Sequence, residues 1–214
     1  MHRRRVEPAR EIACHGMMLD DTSAAEVNGR RDVTRIGVIA DNHSRATDGS
    51  DVPQAVLDAF AGVDLIVHCG DAGSWGTLDR LATVAPVVAV KGGHNGSSVD
   101  DRVQGQKRVV DIGGLRAGIV HDLVSQGVTT ESNPRLVPKS DLRESLTSFF
   151  GEPIDVLLYA GTHVPRIAYA KGMLMVNPGS PTLPADRPRP SLGSVAVVDI
   201  DGEVATAKIV ELWR

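Results

Sequence analysis

The chain has 214 residues, of which 42% are hydrophobic, a net charge of −4 and two cysteines, Cys14 and Cys69. This length suits one domain with a sizeable core, and the negative charge gives no electrostatic reason to expect a nucleic-acid partner. Two cysteines cannot form a disulfide framework and no apolar run is long enough to span a membrane, so we expect a cytoplasmic protein with reduced thiols and no membrane partner.

The first 32 residues are polar and show no sustained hydrophobic period. Arginines stand at positions 3 to 5, as at the start of an export signal, but no apolar segment of useful length follows them. We therefore expect residues 1–32 to form a flexible extension and residues 33–214 to form one domain.

From Thr34 onward, short apolar runs alternate with helical patterns. The predicted elements are a strand at 34–40, a helix at 51–62 with Asp51 as its N-cap and Pro53 in its first turn, a strand at 64–70, a helix at 74–84 and a strand at 86–92. This alternation predicts an α/β fold with a largely parallel sheet.

The second half of the chain is richer in hairpin patterns. The predicted elements are a hairpin at 107–121 turned at Gly113-Gly114, a helix at 139–151, a strand at 155–161, a hairpin at 166–177 turned near Lys171-Gly172 and a hairpin at 194–212 turned at Asp201-Gly202. These late hairpins predict a second sheet, mixed or antiparallel, that packs on the first.

Aspartate, histidine or asparagine follows five of the predicted strands. The residues are Asp41, Asn42 and His43, then Asp71, then His94 and Asn95, then His121 and Asp122, and finally His163. Because ligand sites in α/β sheets lie at the carboxyl ends of strands, these side chains can converge on one place. Carboxylates and imidazoles suit Mn²⁺, Fe²⁺, Zn²⁺, Co²⁺ or Ni²⁺, so the pattern predicts a shared metal or catalytic site.

Each of these residues also has a simpler interpretation. A single histidine at a strand end is more often structural than a metal ligand, and a single aspartate before a helix, as at Asp71, is more often a cap. Repetition at five strand ends favours the shared site. We interpret the mid-strand His68 as a core histidine, and Asn42 and Thr162 as residues that orient loops.

The set of motifs around these residues resembles the calcineurin-like metallophosphoesterases. The stretches are VIADNH, VHCGD, IVH and GTHVP, followed by VNPGSPTLP at 176–184, and the resemblance covers about residues 34 to 212. It is strongest for the small bacterial and archaeal phosphodiesterase branch, which also includes the retromer scaffold subunit of eukaryotes. The resemblance implies a two-sheet α/β sandwich with αββα layers, mixed sheets and a two-metal centre.

The resemblance also assigns roles to individual residues. It implies that Asp41, His43 and His163 hold the first metal, that Asp71 bridges both metals and that His121 binds the second. A further position, His94, corresponds to the catalytic acid that protonates the leaving alkoxide in many relatives.

Glycine replaces two of the family's second-metal ligands, at Gly93 and Gly161. The resemblance therefore implies one tightly bound divalent transition metal, with Mn²⁺ expected before Fe, Zn, Co or Ni, and a second metal that is weak or absent. Asn95 and Asp122 are candidate compensating ligands.

The expected function is metal-dependent hydrolysis of a small phosphomonoester or phosphodiester, with weak or specialised activity because the second site is incomplete. The alternative is a non-catalytic binding or scaffold protein that retains the fold and at most one metal. The sequence leaves open the substrate and the oligomeric state, a homo-oligomer included.

Overall fold

Two five-stranded sheets and three helices make up the part of the protein that the computed structural model describes, which is residues 33–95, 99–129, 142–188 and 192–213. The expected extension at 1–32 lies outside these ranges, and so do the first residues of the helix predicted at 139–151. In chain order the elements are β1 (Thr34–Ile39), α1 (Gln54–Ala59), β2 (Leu65–His68), α2 (Gly76–Ala82), β3 (Val87–Ala89), β4 (Lys107–Ile112), β5 (Leu115–Val120), α3 (Leu142–Phe150), β6 (Val156–Leu158), β7 (Arg166–Ala170), β8 (Met173–Asn177), β9 (Ser194–Asp201) and β10 (Val204–Glu211).

Both sheets are mixed. The first has the order β10-β9-β1-β2-β3, with β1, β2 and β3 parallel and β9 antiparallel to β1. The second has the order β4-β5-β6-β8-β7, with β5, β6 and β8 parallel and the two edge strands antiparallel to their neighbours. The predicted fold class, a two-sheet α/β sandwich, is therefore confirmed.

The three predicted hairpins are present, but the last one differs from its prediction. Its two-residue turn is Gly202-Glu203, because Val204 pairs with Asp201. It also belongs to the first sheet, where β9 pairs with β1, and not to the second sheet. A hairpin pattern predicts that its own two strands pair with each other. It does not predict which other strand, here β1, pairs with the hairpin.

Side chains that alternate along the strands build three layers of core. Ile36 of β1 packs with Leu158 of β6 in the cluster between the sheets, whereas Ile39 packs with Phe60 beneath α1 and α2. The outer face of the second sheet packs against α3 through Leu146. Because successive side chains of a strand point to opposite faces, this produces the expected αββα layering.

Helix α1 begins at Gln54 after Pro53, and no side chain caps it. The predicted N-cap role of Asp51 is therefore wrong. Its carboxylate instead accepts hydrogen bonds from the backbone N–H groups of Arg45 (2.8 Å) and Ala46 (3.2 Å), which closes the loop after β1. None of the helices in the described ranges combines the length and apolar character that crossing a membrane requires.

Candidate metal centre

Six of the predicted site residues meet at one edge of the sandwich, where β1, β2, β3, β5 and β6 end. Their ligand atoms form three groups within 4.8 Å, which are Asp41–His43–His163, His43–Asp71–His94 and Asp41–Asp71–His121. Each group shares one residue with each of the others, so the six side chains form one continuous cluster. Two of its members, His43 and His163, lie 120 positions apart in the sequence, and their Nε2 atoms are 3.3 Å apart.

Four cluster residues have a left-handed backbone conformation. The φ angles of Asp41, His43, Asp71 and His163 are 55°, 47°, 56° and 57°. Elsewhere in the described part of the chain, the one other non-glycine residue with positive φ is Lys171, in the turn between β7 and β8. Such conformations cost on the order of 1–3 kcal/mol each and collect at functional sites, where the surrounding structure holds them. Backbone strain and ligand-type side chains therefore coincide here.

Asp41 is fully buried, and only one of its two carboxylate oxygens has a hydrogen-bond partner. Its Oδ2 accepts a hydrogen bond from the backbone N–H of Gly161 at 3.0 Å, but Oδ1 has no hydrogen-bond partner. That oxygen lies 3.7 Å from Nε2 of His163 and 3.8 Å from Nε2 of His121. Burial raises the pKa of Asp41. An unpaired buried carboxylate oxygen is costly, and a cation beside it would remove that cost.

The ring orientations of His121 and His163 are fixed by backbone carbonyl groups. Nδ1–H of His121 donates to the carbonyl of Cys69 (2.9 Å), and Nδ1–H of His163 donates to the carbonyl of Leu183 (2.8 Å). A carbonyl oxygen only accepts, so in the neutral ring Nε2 carries a lone pair. These two Nε2 atoms point toward carboxylate oxygens, and that arrangement needs a proton or a metal ion between them. Metal-binding histidines are oriented in this way.

The carboxylate of Asp71 is the centre of the cluster. Its Oδ2 lies 3.2 Å from Nδ1 of His94, 3.3 Å from Nε2 of His121 and 3.5 Å from Nε2 of His43. Its Oδ1 accepts the backbone N–H of His94 at 2.7 Å. This approach needs Gly92, because a Cβ atom there would collide with Oδ1 of Asp71. Glycine at position 92 thus allows the backbone of the loop after β3 to come within hydrogen-bond distance of the Asp71 carboxylate.

Charge is distributed unevenly over the cluster. Burial would raise the pKa of Asp71, but hydrogen bonds from His121 and His94 outweigh it and hold that pKa well below its usual value. Burial lowers the pKa of His43. It acts in the same direction on His121, where the hydrogen bond to Asp71 and the charges of both carboxylates reverse it and raise the pKa. The cluster therefore favours positive charge beside an ionised Asp71.

The two candidate compensating ligands, Asn95 and Asp122, form hydrogen bonds with the backbone of the loops in which they lie. Among the described residues, neither Asn95 nor Asp122 belongs to one of the three groups. Nδ2 of Asn95 donates to the carbonyl of Gly92 at 2.6 Å, and Oδ1 of Asp122 accepts the backbone N–H of Val124 at 2.8 Å.

A buried hydrogen bond ties the loop after β1 to the loop after β2. Nε2–H of His68 donates to Oδ1 of Asn42 (3.0 Å), and Nδ1 of His68 accepts the backbone N–H of Gly70 (3.1 Å). Burial lowers the pKa of His68 to about 3, so the ring is neutral. His68 is a core residue, as interpreted from the sequence, but it also links the segments that carry Asp41 and Asp71. The position of Asn42 between two ligand-type residues was the available signal.

Two hydroxyl groups that the sequence analysis did not single out contact the same loop. Oγ of Ser180 donates to the carbonyl of Asp41 (2.8 Å), and Oγ1 of Thr182 donates to the carbonyl of Asn42 (2.7 Å). Both belong to the stretch VNPGSPTLP, which supported the resemblance without suggesting a role for these residues.

The donor set fits a divalent transition metal. It combines two carboxylates with four imidazoles, two of which, His121 and His163, have the second ring nitrogen bonded to a carbonyl group, and it includes a buried carboxylate oxygen without a partner. Such mixed oxygen and nitrogen sites suit Mn, Fe, Co, Ni or Zn.

Comparison with known proteins gives concordant matches. The family model described as calcineurin-like phosphoesterase superfamily domain matches residues 34–203. A probable metallophosphoesterase of Methanothermobacter thermautotrophicus is 36% identical over 180 residues, which is 82% of this chain and 91% of that protein. A probable metallophosphoesterase of Methanocaldococcus jannaschii is 36% identical over 151 residues, which is 70% of this chain and 69% of that protein.

The fold also matches solved structures. The crystal structure of Vps29 from Chaetomium thermophilum superposes with a TM-score of 0.62 at 19% sequence identity, over 84% of this chain and 92% of that one. At this identity the likeness concerns the fold alone.

Proposed function

The chain belongs to the calcineurin-like phosphoesterase superfamily, and on this basis we propose that it is a hydrolase that cleaves small phosphate esters at the metal centre built on Asp41, His43, Asp71 and His163. The observation that carries the proposal is the buried Oδ1 of Asp41, which has no partner and faces the lone pair of His163. A protein that used these residues only for packing would not need this arrangement.

The proposed resident cation is Mn²⁺. When bound, a divalent metal polarises a phosphoryl oxygen and lowers the pKa of a bound water, to about 7 in favourable cases. The protein supplies the ligands in fixed orientations. Asp41 is held by the N–H of Gly161, and His163 is held by the carbonyl of Leu183.

The second metal site is proposed to be weak, because the chain retains only His121 and the bridging Asp71 there. Gly93 and Gly161 provide no side-chain donor at the other two positions. A two-metal centre clamps both the attacking and the leaving oxygen, so loss of one metal removes half of this clamp. We therefore expect slow or specialised turnover.

His94 is the proposed acid for the leaving group. Its side chain is 73% exposed, and its Nδ1 lies 3.2 Å from Oδ2 of Asp71. A carboxylate only accepts, so Nδ1 carries the hydrogen of this contact. Nε2 is then the nitrogen that can hold a proton and deliver it to a departing alkoxide at the open side of the cluster.

The test combines metal analysis with turnover of an aryl phosphodiester and an aryl phosphomonoester in Mn²⁺. The substitutions Asp71→Asn and His163→Ala should each remove most of the bound metal and lower turnover by at least about 100-fold. Removing a group that only orients a metal ligand typically lowers metal affinity or activity by about 10–100-fold, and losing the ligand itself should lower them further. Asp79→Asn is the matched control, since Asp79 lies in α2 and pairs with Arg102 at the surface.

Two results would contradict the proposal. One is unchanged metal content in Asp71→Asn and His163→Ala. The other is metal binding without turnover of either ester, which would favour the alternative of a binding or scaffold protein that keeps one metal. Faster turnover of one of the two esters would decide between a phosphodiesterase and a phosphomonoesterase.

A further inference from the structure

The segment at residues 177–185, here called the clamp segment, contributes no side chain to the three ligand groups, yet its hydrogen bonds converge on them. The clearest case is Ser180, whose side chain is fully buried. Its hydroxyl donates to the carbonyl of Asp41 (2.8 Å) and accepts the backbone N–H of Leu183 (2.8 Å). One side chain thus shapes the clamp segment and holds the backbone of a candidate ligand.

Thr182 continues the contact along the same loop. Its Oγ1 is 2.7 Å from the carbonyl oxygen of Asn42. Two consecutive carbonyl groups, those of Asp41 and Asn42, are therefore held by two hydroxyls of the clamp segment. Asp41 itself has a left-handed backbone conformation, and Asn42 is followed by His43, which has one as well.

The clamp segment holds the opposite side of the site as well. Leu183 accepts the hydrogen bond from Nδ1 of His163 (2.8 Å), and the N–H of Ala185 donates to the carbonyl of His163 (3.2 Å). At its other end, Nδ2 of Asn177 donates to Oγ1 of Thr162 (3.1 Å). The loops that carry Asp41, His43 and His163 are thus joined through one segment that lies far from the first two in the sequence.

We propose that Ser180 and Thr182 are positioning residues, which set the affinity of the Asp41–His43–His163 group for a divalent cation by holding the loop after β1 against the clamp segment. This inference rests on the proposed function, because it assumes that the group binds a metal. Left-handed conformations persist only where the surroundings over-determine them, and groups that orient metal ligands commonly change metal affinity by about 10–100-fold when they are removed.

The experiment is a Co²⁺ titration of the full-length protein, in which the visible spectrum reports ligand geometry and competition with a chelator gives the affinity. Ser180→Ala and Thr182→Val each remove one hydroxyl at nearly constant shape, and both should weaken Co²⁺ binding by about 10-fold or more and change the visible spectrum. Thr182→Ser restores the hydroxyl and should restore affinity and spectrum. Thermal unfolding of the metal-free proteins is measured in parallel.

The matched control is Ser194→Ala. Oγ of Ser194 is also buried and donates to the carbonyl of Pro178 (2.7 Å), so it bonds to the clamp segment without touching a ligand-bearing loop. It should lower the metal-free thermal midpoint, because it removes a buried hydrogen bond, and by less than Ser180→Ala, which removes at least two. Its Co²⁺ affinity should stay near that of the wild type.

The possible outcomes separate the two proposals. If the wild type bound no Co²⁺, the metal centre itself would be refuted, and this inference with it. If the wild type bound Co²⁺ and both Ser180→Ala and Thr182→Val bound it equally well, the positioning role alone would be refuted. Equal weakening in Ser194→Ala would also refute it, since the effect would then reflect general loosening. If Ser180→Ala does not fold, the comparison of Thr182→Val with Thr182→Ser still tests the positioning role, because Thr182 is only half-buried.

Discussion

Gly93 and Gly161 occupy different surroundings, although the family resemblance implies a missing metal ligand at both. A Cβ atom on Gly93 would have 3.9 Å to Oδ1 of Asp71 as its nearest contact, so a longer side chain has room beside the central carboxylate. Gly161 has a φ of +86°, and its Cβ atom would lie 3.2 Å from Cβ of Asp122. The side chain of Asp122 thus crowds the first atom of any side chain at position 161.

This difference predicts which substitutions can rebuild a second metal site. Gly93→Asn with Gly161→His should bind little additional Mn²⁺, because the new imidazole meets Asp122 and its backbone is strained by about 1 kcal/mol or more. Adding Asp122→Gly removes the obstruction, so the triple variant should gain a second equivalent of Mn²⁺ and turn over an aryl phosphodiester faster than wild type. Metal per chain, turnover and thermal midpoint are measured for the single, double and triple variants.

The effects should be strongly non-additive, because no single change completes the ligand set. Gly93→Asn alone is the matched control, and it should fold with a thermal midpoint near that of the wild type. A second metal in the double variant would show that Asp122 does not obstruct the site. Two metals already present in the wild type would show that other residues have replaced the missing ligands.

At the same scale, residue types predicted the composition of the cluster but not its internal contacts. Asp, His and Asn after successive strands were visible as a pattern, because ligand chemistry is restricted to a few side chains. The hydrogen bonds of His68 to Asn42 and of Ser180 to Asp41 depend on which loops lie side by side. The sequence shows Asn42 between two ligand-type residues, but tertiary packing decides which residue each of these groups contacts.

At the scale of elements, the sequence predicted every strand found in the described ranges but extended several of them too far. The strands predicted at 64–70, 86–92 and 155–161 end at His68, Ala89 and Leu158. Apolar residues continue past these ends because the loops remain buried: Cys69, Val90, Tyr159 and Ala160 are all core residues. Burial produces the hydrophobic pattern, so the pattern continues into the buried loops. The left-handed backbone conformations that follow the strands are not visible in this pattern.

The link between the ends of β1 and β2 predicts a measurable pH dependence of stability. His68 is neutral in the folded protein down to a pKa of about 3, whereas its pKa in the unfolded chain is the ordinary 6.5. As pH falls below the unfolded value, the unfolded chain takes up a proton that the folded protein excludes, so stability is lost. This single group should cost about 1.4 kcal/mol between about pH 7.5 and about pH 5.5.

The measurement is urea unfolding of the wild type and His68→Gln at both pH values, with a chelator present to remove the contribution of metal binding. His68→Gln should be less stable at the higher pH, because the buried bonds to Asn42 and Gly70 are disturbed. Its disadvantage should shrink as the pH is lowered, because glutamine does not titrate. Parallel stability curves for the two proteins would contradict the assignment of His68 as a neutral link between the strand ends.

At the scale of the whole molecule, the site exists because the two sheets end at the same edge. Parallel pairing explains why β1, β2 and β3 deliver Asp41, Asp71 and His94 together, and this could be predicted from the sequence. The position of β5 and β6 opposite them depends on how the second sheet packs on the first. The residue pattern predicted only that all five strand ends can converge, and the family resemblance then implied the metal-binding roles of His121 and His163.

The same architecture predicts that residues 1–31 are dispensable. Strand β1 begins at Thr34 and the family match also begins at residue 34. Among the residues that the structure describes, those of the core clusters and the candidate metal centre lie at or after Ile36. A chain that begins at Asp32 should therefore keep its bound metal and shift its thermal midpoint by less than about 2 °C, which corresponds to under about 1 kcal/mol for a domain of this size. A chain that begins at Val38 is the control, because it loses Ile36 and most of β1 and should neither fold nor bind metal. Circular dichroism and elemental analysis give both readouts. A larger drop in midpoint for the Asp32 chain, or a loss of metal from it, would mean that the first 31 residues pack on the sandwich and belong to the folded unit.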